Sequence, residues 1–209
     1  MSDILELLDS INNDDADEQT QVNYSRQDIQ EIKSFTIMLN YIKEHKTDVP
    51  EQFRSTVTRD LVTGLTLAMH WVYIMHTAPV PTWMQHDPNI TDSHGWCVAM
   101  HYIVANKSQP PKWMQNTSDL QNVNGKTTAM LYLLYRSTEL QNTEIPDWMK
   151  HDLHIFDADG YSLVDYWLFS NTEPLPDWLI SDVDKDFKNN RGETIEQSIQ
   201  HCKQLKENL

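Results

Sequence analysis

Apolar residues recur along this chain with the spacing of a helix that buries one face. Four segments, each beginning just after a glycine, place apolar side chains four, seven and eight positions beyond that glycine. Positions with this spacing share one side of an α-helix, so each segment predicts a helix packed on a core. A Thr, Ser or Cys two positions after the glycine suits the N-cap of that helix. The apolar positions are Ala68, Trp71 and Val72; Ala99, Tyr102 and Ile103; Ala129, Tyr132 and Leu133; and Val164, Trp167 and Leu168.

The glycines that precede these helices recur at a nearly constant interval. The chain holds five glycines, separated by 31, 30, 35 and 32 residues. An interval of roughly 20 to 50 residues is typical of repeat proteins. Segments rich in Asp, Asn, His and Ser run into each glycine, and these residues favour turns, while glycine accepts a positive φ. The predicted turn glycines are Gly64, Gly95, Gly125, Gly160 and Gly192.

A second motif, Pro-x-Trp-Met, recurs in phase with the glycines. Proline suits the first turn of a helix, where its missing N–H would have no partner in any case. The Trp and Met behind it would anchor this second helix on the first, and Pro50 begins a degenerate copy 14 residues before Gly64. The motif occurs as Pro81-Thr-Trp83-Met84, Pro111-Lys-Trp113-Met114, Pro146-Asp-Trp148-Met149 and Pro176-Asp-Trp178-Leu179.

A unit of helix, link, second helix and turn resembles the ankyrin repeat, which has the form D-x-x-G-x-T followed by two antiparallel helices and a projecting finger. The turn before Gly64 lacks the acidic or amide first residue, since Leu61 stands there. The Pro-Leu-His and Gly-His of the family are also absent, and another helical-hairpin solenoid is the alternative. The match is carried by Asp92-Ser-His-Gly95-Trp-Cys97, Asn122-Val-Asn-Gly125-Lys-Thr127, Asp157-Ala-Asp-Gly160-Tyr-Ser162 and Asn189-Asn-Arg-Gly192-Glu-Thr194.

We therefore predict an all-α fold, an ankyrin-like helical-repeat solenoid of about five units with N- and C-terminal capping helices. Residues 1–25 form an acidic, flexible segment whose apolar residues either dock on the solenoid or a partner, or belong to a disordered tail. The repeat domain covers 26–209, with a cap at 26–58, repeats at 59–87, 88–117, 118–152 and 153–182, and a C-terminal cap at 183–209.

The net charge of the chain limits the kinds of partner that we expect it to bind. Sixteen Lys and Arg stand against 31 Asp and Glu, a net charge of −15. Binding phosphates requires a basic face, so we expect a basic protein partner and no direct nucleic-acid binding, unless the acidity serves only solubility.

No segment is long and apolar enough for a membrane helix, and the widely separated Cys97 and Cys202 are typical of free thiols. We expect a cytoplasmic protein without membrane contact.

Motifs for catalysis are missing from the chain, so we expect no enzyme, cofactor or metal ion. No phosphate-binding glycine loop, nucleophile elbow or HExxH occurs. His151, Asp152 and His154 crowd one predicted turn but match no zinc spacing. We expect Cys97 to be buried and inert, because a catalytic thiol requires an exposed, electropositive setting.

In the ankyrin family, binding residues cluster on the fingers and on the exposed side of the first helix. The resemblance implies that Trp96 and Tyr161, which follow turn glycines, are exposed, and such residues often anchor interfaces. The alternative is that each packs on the neighbouring finger. Acidic residues on the fingers would steer a basic partner. The predicted partner-binding residues are Asp92, His94, Trp96, Lys126, Asp157, Asp159, Tyr161 and Arg191.

Two functions are consistent with these features. The first is a non-enzymatic protein–protein interaction module that binds a basic partner through the finger tips and the concave face. The second is a small acidic inhibitor, of the kind that phages encode, which blocks a nucleic-acid-binding enzyme such as a host-defence complex by charge mimicry.

Overall fold

The chain folds into seven short helices and three single helical turns within the residues that can be described. The structure, a computed structural model, describes residues 26–44, 59–60, 63–136, 144–150, 154–170, 175–181 and 188–207. The α-helices are α1 Arg26–Lys43, α2 Leu67–Met75, α3 Val98–Asn106, α4 Thr128–Tyr135, α5 Leu163–Ser170, α6 Asp177–Ser181 and α7 Ile195–Glu207. The three 3₁₀ helices cover Thr82–Met84, Lys112–Met114 and Asp147–Met149.

The fold class is all-α, as the sequence predicts. In the described ranges, β-pairing is limited to three isolated antiparallel bridges at the turns. Successive helices pack on one another, from α1 through α5, and α7 then packs on α5. The predicted acidic segment 1–25 and much of the link between α1 and α2 lie outside the described residues.

Ten of the twelve predicted core positions of the helices are buried, whereas Tyr102 and Leu168 are half-buried and pack against the core. In α2, Ala68, Trp71 and Val72 are buried, and the Met five positions after each of the first three glycines is fully buried as well. Burial extends beyond that face, because the consecutive residues 128–133 of α4 and 163–167 of α5 are all buried. None of the described helices has the length and apolar character that crossing a membrane would require.

The helices begin at the predicted N-caps. Thr66 and Thr127 each accept a hydrogen bond through Oγ1 from the backbone N–H three residues later, at 3.3 Å. Ser162 instead donates through Oγ to Asp165 Oδ2 at 2.8 Å. Cys97 occupies the same N-cap position without a side-chain cap. Local hydrogen bonding thus sets most of the helix starts.

The predicted second helix is wrong for three of the four Pro-x-Trp-Met motifs, which form a single 3₁₀ turn. The proline precedes that turn as its N-cap, and Met84 N donates to Pro81 O at 2.9 Å. After the first motif, Pro88 disfavours helical backbone at the residue before it. After the second motif, the Asn116 side chain donates to Thr117 O at 2.8 Å, a local hydrogen bond that competes with helix formation. Only the fourth motif forms an α-helix, α6, and it has five residues.

The buried methionine of each short turn still fastens it to the core. Met84, Met114, Met149 and Leu179 are each at most 5% exposed. The tryptophans before them are half-buried and pack against the same core. The motif therefore provides an anchor of one turn, which replaces a packed helix.

Candidate partner-binding surface

The turns that close on Gly95, Gly125, Gly160 and Gly192 share one hydrogen-bonding pattern. In the first of them, Asp92 Oδ1 accepts from the N–H groups of His94 and Trp96, at 2.8 and 2.9 Å. The N–H of Asp92 in turn donates to Trp96 O at 2.9 Å. The same bonds join Asn122 to Asn124 and Lys126, Asp157 to Asp159 and Tyr161, and Asn189 to Arg191 and Glu193.

The turn before Gly64 also has an acidic first residue, which corrects the sequence alignment. Asp60 lies one position earlier than expected and takes the place assigned to Leu61. Its Oδ1 accepts from Thr63 N at 3.2 Å, and its N–H donates to Leu65 O at 2.9 Å. The segment from Asp60 to Gly64 is one residue longer than in the other turns, so motifs aligned at fixed spacing do not show this match.

The turns led by Asp60, Asp92, Asn122, Asp157 and Asn189 form what we call the turn row, in which direct backbone hydrogen bonds join the first four turns. Ser93 N donates to Thr63 O at 2.9 Å, and Val123 N donates to His94 O at 2.8 Å. Ala158 N donates to Asn124 O at 2.9 Å. The turn glycines make this approach possible, since a Cβ on Gly125 would lie 2.9 Å from Ala158 N.

Asp92 also ties its turn to two helices through His101. Asp92 Oδ2 lies 3.2 Å from His101 Nε2, and Tyr73 OH lies 2.9 Å from His101 Nδ1. Burial opposes ionisation of Asp92, yet hydrogen bonds from His101 and the turn N–H groups outweigh it and lower its pKa. The indole of Trp96 covers the imidazole, with ring centroids 5.6 Å apart.

Asp157 is tied down in the same way by a cation from the preceding turn. Lys126 Nζ lies 2.7 Å from Asp157 Oδ2, which also accepts from Tyr166 OH at 2.7 Å. Burial opposes the charge on Asp157, but these two bonds and the Tyr161 N–H lower its pKa. Burial and the Asp157 carboxylate raise the pKa of Tyr166, so the phenol stays protonated and donates.

Arg191 joins the last turn to α5. One of its terminal nitrogens lies 3.1 Å from Asp165 Oδ1 and 2.6 Å from Glu193 Oε2. The guanidinium also covers the Tyr161 ring, with its central carbon 4.2 Å from the centroid. Its hydrogen bond to Glu193 is the largest cause that lowers the pKa of that carboxyl to about 2.

The structure places Trp96 and Tyr161 differently from what the resemblance implied. Both are half-buried and pack against the core. Tyr161 lies between Arg191 of the next turn and Phe169 of α5, whose ring centroid is 5.8 Å away. The alternative interpretation, packing on the neighbouring finger, therefore describes Tyr161.

The eight predicted partner-binding residues divide into two groups. His94 and Asp159 are exposed at the tips of the turn row. The remaining six hold turns to helices or to one another, so their side chains are largely occupied within the fold. Those six are Asp92, Trp96, Lys126, Asp157, Tyr161 and Arg191.

Sequence reasoning missed a second group of surface residues, which lie on the helices. Tyr73, Leu134, Tyr135 and Phe169 are between 37% and 50% exposed. They lie nine or ten positions after a turn glycine, on the helix side opposite to positions four, seven and eight. An apolar residue on that side was the signal, because a surface helix normally carries polar groups there.

The described residues hold no group of three or more His, Cys, Asp or Glu side chains arranged for a metal ion. His151 and Asp152, which form a candidate set with His154, lie outside those residues. Cys97 is fully buried, and burial raises the pKa of its thiol.

The sequence matches no protein-family model and no curated protein.

Proposed function

We propose that this protein is a non-enzymatic protein–protein interaction module that binds a basic partner through the turn row and the adjoining helix face. The observation that carries the proposal is the turn row itself, whose backbone hydrogen bonds hold the tips in a fixed line. His94 and Asp159 are exposed on that line, and the His94 ring makes a local contact, with Nδ1 3.1 Å from Ser93 Oγ. Exposed groups on a rigid frame lose little entropy when a partner binds.

We propose further that the repeat domain, residues 26–209, is an ankyrin-like solenoid. The nearly constant glycine interval, the positive φ shared by the turn glycines and the successive packing of α1 to α5 support this. The single 3₁₀ turns at Pro81, Pro111 and Pro146 would then be shortened second helices.

The test is capture of partners from the native host by the immobilised full chain. Asp159→Lys reverses a charge at a tip without removing an internal contact. Glu144→Lys makes the same change at an exposed residue near Pro146, outside the turn row, and serves as the control. We expect Asp159→Lys to lose the partner and Glu144→Lys to keep it. Equal capture by both variants would show that the tips do not bind.

A second candidate is the acidic inhibitor that mimics nucleic acid. The net charge of −15 and the exposed Asp87, Asp119 and Asp159 favour it. Such binding depends on screened charges, so it should weaken steeply as salt is raised above about 0.15 M. A captured enzyme that releases its DNA or RNA on binding would support this candidate, and binding unaffected by salt would contradict it.

A further inference from the structure

The last unit, residues 189–207, is attached to the fold in a different way from the units before it. It consists of the fifth turn of the turn row and α7. Backbone hydrogen bonds join the first four turns, but in the described residues none joins the fourth turn to the fifth. A Cβ on Gly125 would first meet backbone atoms of the following turn, whereas a Cβ on Gly160 would first meet the side chains of Asn190 and Arg191. The fifth turn therefore contacts the fourth through side chains.

Within the last unit, the turn is bonded to its own helix. Asn189 Nδ2 donates to Ser198 Oγ of α7 at 3.1 Å, and Glu193 Oε1 lies 3.0 Å from His201 Nδ1, also in α7. All of these contacts remain if the turn and α7 move together. The last unit is therefore one piece.

Arg191 reaches from this piece to two groups of the fourth unit. Its Nη2 lies 3.1 Å from Asp165 Oδ1 in α5, and its guanidinium lies over the Tyr161 ring, 4.2 Å from the centroid. Its Nη1 is buried and has no hydrogen-bond partner among the described residues. A buried donor without a partner costs free energy, and water supplies that partner when the side chain is exposed.

Asp165 occupies a position that is apolar in the preceding units. Five positions after the first three turn glycines stand Met69, Met100 and Met130, and all three are fully buried. Asp165, five positions after Gly160, is fully buried as well. The fourth unit thus places a carboxylate in the core where the others have a methionine, and the cation that pairs with it comes from the last unit.

This substitution makes the last interface easier to open than an apolar one. Both ions of a buried pair lose their hydration, so such a pair is often no more stabilising than apolar side chains of similar volume. When the last unit leaves α5, Arg191 returns to water and the Oδ1 side of Asp165 loses its cover. Hydration then offsets much of the lost attraction, which it does not do for separated methionines.

We propose that the last unit opens from α5 and closes on it as one piece, while the units before it stay folded, and that the Arg191–Asp165 pair is the latch that holds it closed. Opening of single cooperative units is a general property of folded chains. The device does not depend on the proposed partner. A ligand that binds only the open or only the closed form would shift the balance between them.

Native-state hydrogen exchange of the full chain, resolved by residue with NMR and repeated at low urea concentrations, tests the opening. We expect the slowest amides of α7 to exchange about tenfold or more faster than the slowest amides of α3 and α4. Their exchange should also depend less on urea, because one opened unit exposes less surface than the unfolded chain. Equal rates with equal urea dependence would show that the last unit opens only when the whole domain unfolds, and would overturn the proposal.

A pair of matched variants tests the latch. Arg191→Met removes the cation of the pair, whereas Lys188→Met removes an exposed cation beside the same turn. We expect the α7 amides to exchange about tenfold or more faster in Arg191→Met and to change by less than about twofold in Lys188→Met. The amides of α3 and α4 should stay protected in both variants. Loss of protection in all helices together in Arg191→Met would contradict a separate unit.

A double variant identifies the contact that matters. Arg191→Met alone leaves the Asp165 carboxylate without its cation, but Arg191→Met with Asp165→Met gives the fourth unit the residue that the others have. We expect the double variant to restore the α7 exchange rates to within about twofold of wild type, because apolar side chains can replace a buried pair. If the double variant exchanges as fast as Arg191→Met, the pair with Asp165 is not the latch.

Discussion

At the scale of single residues, the turn glycines are under two separate constraints. All five have φ between 72° and 82°, where L side chains are strained. Four of them also lie against the next turn, with a Cβ position 2.9–3.1 Å from its atoms. Gly192 has the strained φ but nothing within 4 Å of that position. The chain therefore offers a comparison that separates the two effects.

Gly192→Ala should reduce the free energy of unfolding by about 1–2 kcal/mol, because only the left-handed backbone is affected. Gly125→Ala should cost at least about 1 kcal/mol more, because its Cβ would meet the backbone of Asp157 and Ala158. Urea unfolding of both variants measures the difference. Equal losses would mean that the turns can move apart without cost.

At the scale of elements, Lys126 pairs with Asp157 of the next turn and Arg191 pairs with Asp165 of α5, and the burial of such ion pairs decides how much they stabilise the fold. The Asp157 side chain is fully buried in its pair with Lys126. Lys150 and Asp147 form a pair of similar length, 2.6 Å, but the Asp147 side chain is 95% exposed. A buried carboxylate that loses its cation cannot recover its stabilisation from water, whereas an exposed one can.

Lys126→Met should therefore lower the free energy of unfolding by about 2–4 kcal/mol, since it leaves Asp157 buried with only its neutral partners. Lys150→Met, the matched control, should change it by less than about 1 kcal/mol. Thermal or urea unfolding checks both values. A small effect at Lys126 would indicate that water reaches Asp157 in the folded state.

At the scale of the whole molecule, helices α1 to α5 each pack on their neighbours in sequence, and α7 packs on α5. In such an arrangement, stability is a sum over units and their interfaces. The removal of one complete unit should then preserve the contacts of the rest.

Deletion of residues 111–145, which brings Pro110 next to Pro146 and retains the motif phase, should give a shorter chain that is still folded. We expect a helical circular dichroism spectrum and cooperative unfolding at a lower urea concentration, because one interface is lost. An unfolded product would show that the domain folds as a single indivisible core and would contradict the solenoid proposal.

The sequence by itself determined what depends on neighbouring residues. The turn positions follow from five glycines, four of which have an Asp or Asn at fixed spacing, and the N-caps at Thr66 and Thr127 follow from hydrogen bonds that close within three residues. The apolar spacing likewise identified the buried face of each helix, because the helical period is the same in every context.

Only the tertiary structure decided the roles of the predicted site residues. Lys126 and Asp157 are 31 residues apart, and Arg191 and Asp165 are 26 apart, so their pairing depends on how the turns align in space. The same alignment turns Tyr161 toward Arg191 and leaves Leu134 and Phe169 exposed near the ends of α4 and α5. Repeat spacing shows that positions are equivalent, but burial depends on what the next unit places beside them.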